Sequence, residues 1–157
     1  MAIKTNVMRI LDQNKIEYST YSYKVIKSDH VDGIEVSKQI GKTYEEVFKT
    51  LILTSQSKKI YIFVIPVDKN LNLKECSKLA NEKGLSMINI SDINKVTGYM
   101  RGGCSPIGMK KLYKTLVDKS ALNHDKIIIS AGKIGYQIEI NPLDLEKLIG
   151  CIFENII

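Results

Sequence analysis

The chain has 157 residues, 44% hydrophobic and 25% charged, with 23 basic against 17 acidic residues and a formal charge of +6. That length suits one domain spanning residues 1–157, able to bury about two thirds of its unfolded surface. No apolar run approaches the roughly 18 residues of a membrane span, and Met1–Asn6 has no signal-peptide core, so a soluble, cytoplasmic protein is expected.

In chain order, a first helix is predicted over residues 3–13, with Val7, Ile10 and Leu11 on one face and Asn14 as its stop. Tyr18, Tyr21, Tyr23 and Val25 are spaced as a strand. A polar loop at Ser28–Gly33 and a short helix closed by Gly41 follow. Thr43 and Glu46 have capping-box spacing and predict another short helix. Leu51–Leu53 and Ile60–Pro66 are β-rich runs flanking the polar turn Ser55–Lys58, which predicts an antiparallel pair.

Asn72 is placed to cap a helix reaching Lys83 and closed by Gly84, and Ser91 to cap one ending near Gly98. Strands are expected at 112–117, 126–130 and 136–140, the last two joined by a turn over Ala131–Gly135. Asn141-Pro142 opens a final helix that Gly150 closes. Short strands alternating with short helices, several joined by tight turns, indicate a compact α/β domain with a mixed, mostly antiparallel sheet.

Three segments could carry chemistry. Lys49 lies between a predicted helix end and an apolar strand run, where partial desolvation disfavours its ammonium form or leaves a charge aimed at a ligand. The loop Thr97–Gly108 holds four glycines and a proline, so backbone N–H groups there can approach a ligand closely. Ser130-Ala131-Gly132-Lys133, at a strand end, can offer a hydroxyl with neighbouring N–H groups.

Other chemistries fare worse. Gly103 and Gly108 have P-loop separation, but Met109 stands where the lysine belongs and helix precedes the loop. Cys76, Cys104 and Cys151 are odd in number and scattered, far from His30 and His124, so neither a disulfide framework nor a zinc site is indicated. There is no G-x-S-x-G and no evident carboxylate pair. Any reaction must run on backbone dipoles, one lysine and the substrate itself.

These segments together resemble the Cys-tRNA(Pro) deacylases, the YbaK/EbsC group of the prolyl-tRNA synthetase editing-domain superfamily. The resemblance rests on Asn14-Lys15-Ile16, Val47-Phe48-Lys49-Thr50-Leu51, Leu71–Lys74, Thr97-Gly98-Tyr99, Gly102-Gly103-x-Ser105-Pro106-x-Gly108-x-Lys110-Lys111 and Ser130-x-Gly132-Lys133. It implies a barrel-like mixed sheet and a pocket for the aminoacylated 3′ end of tRNA. By resemblance Lys49 is the functional lysine, with Thr50 beside it, and Tyr23 is a pocket tyrosine. Gly102, Gly103, Ser105 and Pro106 match the loop shaping the amino-acid pocket, and Ser130, Ala131 and Gly132 match the turn facing it.

The implied reaction uses the substrate's own cysteine thiol to cleave its ester, with no metal or organic cofactor. Aminoacylated tRNA is the implied partner, and prolyl-tRNA synthetase a candidate second one. Two departures bear on amino-acid preference: Ala131 stands where relatives commonly have Gly, and Gln137 where they carry Asp or Ser. Removal of alanine or another small residue, and a non-catalytic tRNA- or synthetase-binding role, are the alternatives.

Overall fold

The computed structural model describes residues 3–26 and 31–157; His30 and the loop expected from Ser28 lie wholly or partly outside them. Helix α1 (Asn6–Gln13) starts later than expected because the Thr5 side chain accepts the Met8 N–H, and it ends at Asn14. Its apolar stripe, Val7, Met8 and Leu11, is buried. Strand β1 is only Ser19–Ser22, shorter than the tyrosine spacing suggested. Helix α2 (Gly33–Ile40) is closed by Gly41, as expected, and its N-terminus is capped by Asp32.

The helix expected from Thr43 does not form. Glu46 accepts hydrogen bonds from the Thr43 N–H (3.1 Å) and hydroxyl (2.9 Å), so only one of the two capping-box bonds is present: the Glu46 N–H goes to the Thr43 carbonyl and the chain makes only a turn. Val47 already bridges Ile128, and the Ile128 N–H donates to Glu46. Sheet pairing of a β-branched, buried residue overrides the local helix signal.

Strands β2 (Phe48–Ser55) and β3 (Ile60–Pro66) form the expected antiparallel pair, with Lys49 opposite Ile65. β3 is buried on both faces, which explains its unbroken apolar run. Ile62 and Val64 face one core; Tyr61, Phe63 and Ile65 face another, covered by Cys76 and Ala80 of α3 (Leu73–Ala80). Asn72 caps α3, but its end is Asn81 in the left-handed region, three residues before Gly84. Strand β4 (Leu85–Met87) then pairs with β2 and had no sequence signal of its own.

Helix α4 (Ile93–Thr97) follows a 3-10 turn over Ile90–Asp92, so Asp92 rather than Ser91 precedes it; Gly98 closes it. Strand β5 (Lys114–Asp118) runs parallel to β3. Strands β6 (Ile127–Ser130) and β7 (Tyr136–Ile140) form the expected hairpin. Helix α5 (Pro142–Ile149) has Asn141 as cap and Gly150 as stop, and a last strand, β8 (Ile152–Glu154), pairs with β5.

The strands make two sheets, ordered β1-β7-β6 and β4-β2-β3-β5-β8. The mixed, mostly antiparallel sheet is therefore present, but it is not closed into a barrel. The two sheets meet at the Val47–Ile128 bridge, across the main core and in a small cluster of Val47, Val67 and Ile128. Where they diverge beyond that bridge, a cleft opens.

Candidate functional site

Residues from both sheets and the glycine loop wall this cleft, whose volume is about 870 Å³. β2 contributes Lys49 and Thr50; the facing sheet contributes Ser130 at the end of β6 and Gln137 on β7. These two are cross-strand partners, which puts both side chains on one face of the hairpin. The loop contributes Arg101, Gly102 and Cys104. The chain between β4 and α4 forms the rim, through Met87, Asn89, Ile90 and Ser91.

Lys49 is half-buried on β2, and among the described residues its ammonium makes no ion pair or hydrogen bond. Burial lowers its pKa from the ordinary lysine value; Asp68 and Asp32 oppose that through their charge without touching it. The result is a cation held ready for an anionic or strongly dipolar ligand.

Two further polar atoms are unspent: among the described residues, Thr50 Oγ1 and Gln137 Oε1 are buried without a hydrogen-bond partner. Cys104 also lines the cleft, but burial pushes its thiol pKa up, and its sulfur lies 3.7 Å from the Met100 carbonyl. A protonated, buried thiol is a poor nucleophile. No three of His, Cys, Asp and Glu among the described residues stand together as metal ligands.

The remaining candidates stand elsewhere. Gly103, Ser105, Pro106, Ala131 and Gly132 are not among the residues that line the cleft. The Gly103 N–H donates to the Met100 carbonyl at 2.9 Å and the Ala131 N–H to that of Tyr136 at 3.1 Å. Ser105 is fully buried and its hydroxyl accepts from Ile107; the Ser130 hydroxyl accepts from Gly132 at 3.1 Å. Gly102 and Cys104 line the cleft, and their N–H groups have no hydrogen-bond partner among the described residues.

Tyr23 lines a neighbouring pocket that shares Val31 and Val36 with the cleft, and its buried hydroxyl is likewise unpartnered among the described residues. Sequence reasoning missed the rim. β4 is too short to show periodicity, and the only cue was apolar residues with no core to enter: Met87 is 54% exposed and Ile90 59%.

Residues 30–148 match the family of aminoacyl-tRNA editing domains. Over 139 residues the chain is 39% identical to EbsC of Enterococcus faecalis, described as a Cys-tRNA(Pro)/Cys-tRNA(Cys) deacylase; the match covers 88% of this chain and 84% of that one. Among solved structures, hypothetical protein APE2540 superposes with a TM-score of 0.85 at 22% identity, covering 96% of this chain and 97% of the other. A protein described as a trans-editing enzyme for prolyl-tRNA synthetase superposes with a TM-score of 0.80 at 16% identity, covering 96% and 93%. At these identities the two structures establish a shared fold.

Proposed function

The chain belongs to the aminoacyl-tRNA editing-domain family, and from that we propose that it is a trans-editing deacylase releasing cysteine from mischarged Cys-tRNA(Pro), and from Cys-tRNA(Cys). The observation that carries the reading is the half-buried Lys49, unpaired among the described residues, lining one cleft with Ser130 and Gln137, where the thiol of Cys104 is held protonated by burial.

The tRNA 3′ end enters over the Met87–Ser91 rim, and Lys49 holds its ester end by charge and hydrogen bonding. The substrate's thiol, as thiolate, attacks the ester carbonyl. A carbon–sulfur bond forms and the ester carbon–oxygen bond breaks; the proton given up by the thiol returns through solvent to the departing ribose oxygen, and water later opens the cyclic thioester to cysteine. Attack within one molecule replaces a bimolecular encounter by positioning, worth up to about 7–11 kcal/mol of barrier. The N–H groups of Gly102 and Cys104, without a partner among the described residues, support the developing oxyanion, while the committed N–H of Gly103 holds the loop in place. Arg101 at the mouth meets the phosphates of the last nucleotides.

The test is purified protein with tRNA(Pro) charged with cysteine or alanine, with Lys49→Ala beside the native chain. Cysteine release, slowed about 100-fold or more by the substitution, is expected, because a buried donor at a developing charge contributes about that much. If neither protein touches the charged tRNA, the reading fails; faster release of alanine would move the substrate away from a thiol-assisted path.

A further inference from the structure

Among the described residues that line it, the cleft holds two cations, Lys49 and Arg101, and no carboxylate. Yet any aminoacyl ester carries an α-amino group that must be accommodated a few bonds from the ester held by Lys49. A protonated amine there would meet like charge with no counter-ion among the described lining residues, in a partly dry site, which is unfavourable.

The available partners are neutral acceptors. Gln137 is 7% exposed, lines the cleft and has its Oε1 buried without a hydrogen bond among the described residues; Thr50 Oγ1 is in the same condition. A buried amide oxygen left unpaired is costly in the empty site, and that cost is recovered when a donor arrives. Resting on the deacylase reading, we propose that Gln137 is a specificity residue that accepts a hydrogen bond from the substrate's uncharged α-amine, so that the cleft selects aminoacyl ends in their unprotonated form.

The charged and titratable groups around Gln137 agree with this. Lys49 on β2 and Arg101 and Cys104 of the loop line the same cleft. Tyr21 on β1 is its register partner. Glu139, two residues along β7, is already tied to Lys42 at 3.5 Å and to the Tyr21 hydroxyl at 3.4 Å. Asp32 spends one oxygen on the Ile34 N–H at 2.9 Å, and Asp68 lies 3.9 Å from Lys69; both act on Lys49 from outside the lining.

The experiment uses two non-hydrolysable probes, alanine and lactic acid each amide-linked to 3′-amino-3′-deoxyadenosine. An α-amine titrates near about 8, so its neutral fraction rises by up to about 100-fold between pH 6 and pH 9. The native protein should bind the alanyl probe at least about tenfold more tightly at pH 9, with the lactyl probe little changed. Gln137→Glu, supplying a carboxylate, should reverse the preference and bind the alanyl probe better at pH 6. Gln137→Met, similar in size without an acceptor, should weaken alanyl binding at pH 9, with folding checked by circular dichroism. Alanyl binding that is flat or stronger at pH 6 in the native protein overturns the proposal. So does a lactyl probe that follows the same pH curve, since the titrating group would then be the protein's own. Failure of both probes to bind at any pH would remove the deacylase reading along with it.

Discussion

The Tyr99 ring lies between two glycines: a Cβ on Gly132 would stand 2.9 Å from its Cε1, and one on Gly108 2.7 Å from its hydroxyl oxygen. Both glycines have positive φ, +84° and +78°, and the Tyr99 hydroxyl donates to the Ile107 carbonyl. The glycine loop and the Ser130–Gly132 turn are thus joined by packing around one buried tyrosine.

It follows that Gly132→Ala and Gly108→Ala act on stability before they act on chemistry. Each adds a close contact to a conformation L-residues disfavour, costing about 2–4 kcal/mol together. In a chain of this size that lowers the melting temperature by several degrees, about 2–4 °C per kcal/mol. Thermal melts should show the loss, and activity measured well below the transition should fall far less than in Lys49→Ala.

Lys49→Met should lose activity without losing stability. Its ammonium is partly desolvated and unpaired among the described residues, so the native fold carries a cost that the neutral thioether does not. The sign follows from a folded-state pKa lowered below the unfolded one. The cost is fully present below the folded pKa and is relieved as pH rises through it toward the unfolded value. The melting temperature of the variant relative to the native protein should therefore be highest near neutral pH and converge on it at alkaline pH. A variant markedly less stable at pH 7 would contradict this.

No protein cysteine should matter to the reaction. Burial raises the pKa of all three thiols, that of Cys76 to about 11 and that of Cys151 to about 12. Thiol reagents should label the folded protein slowly at pH 7 and quickly after unfolding. Cys104→Ala, at the cleft wall, should keep activity within a few-fold; abolition would mean a covalent enzyme intermediate.

Arg101 is exposed at the cleft mouth and should make a phosphate contact rather than a chemical one. Arg101→Ala is expected to raise KM for charged tRNA with little change in kcat, and to reduce the slope of log K against log salt by about 1. A large fall in kcat with an unchanged salt slope would place this guanidinium in the chemistry instead.

Much of the fold was readable because its signals are local. Asn72, Asn141, Gly41, Gly98 and Gly150 terminate helices through bonds or dihedrals within a few residues of themselves, and the β2–β3 and β6–β7 hairpins carry their own turns. The misses share one cause. The Thr43–Glu46 box and the Gly84 stop are competent local signals overruled by partners far along the chain, Ile128 for the first and β2 through β4 for the second. β4 and β8 have three residues each, too few for a period to emerge.

For the site, the sequence by itself determined the ingredients: a lysine opening an apolar strand, a loop able to present N–H groups, and no effective nucleophile. Tertiary structure decided their division of labour. It put Lys49, Gly102, Ser130 and Gln137 around one space, while Gly103, Ser105, Ala131 and Gly132 do not line it. The reason is physical: the bonds that commit Gly103, Ser105 and Ala131 are local, but the cleft itself is walled by segments distant in the chain that only tertiary packing brings together. Only the folded chain leaves the Gln137 oxygen buried and, among the described residues, unpartnered.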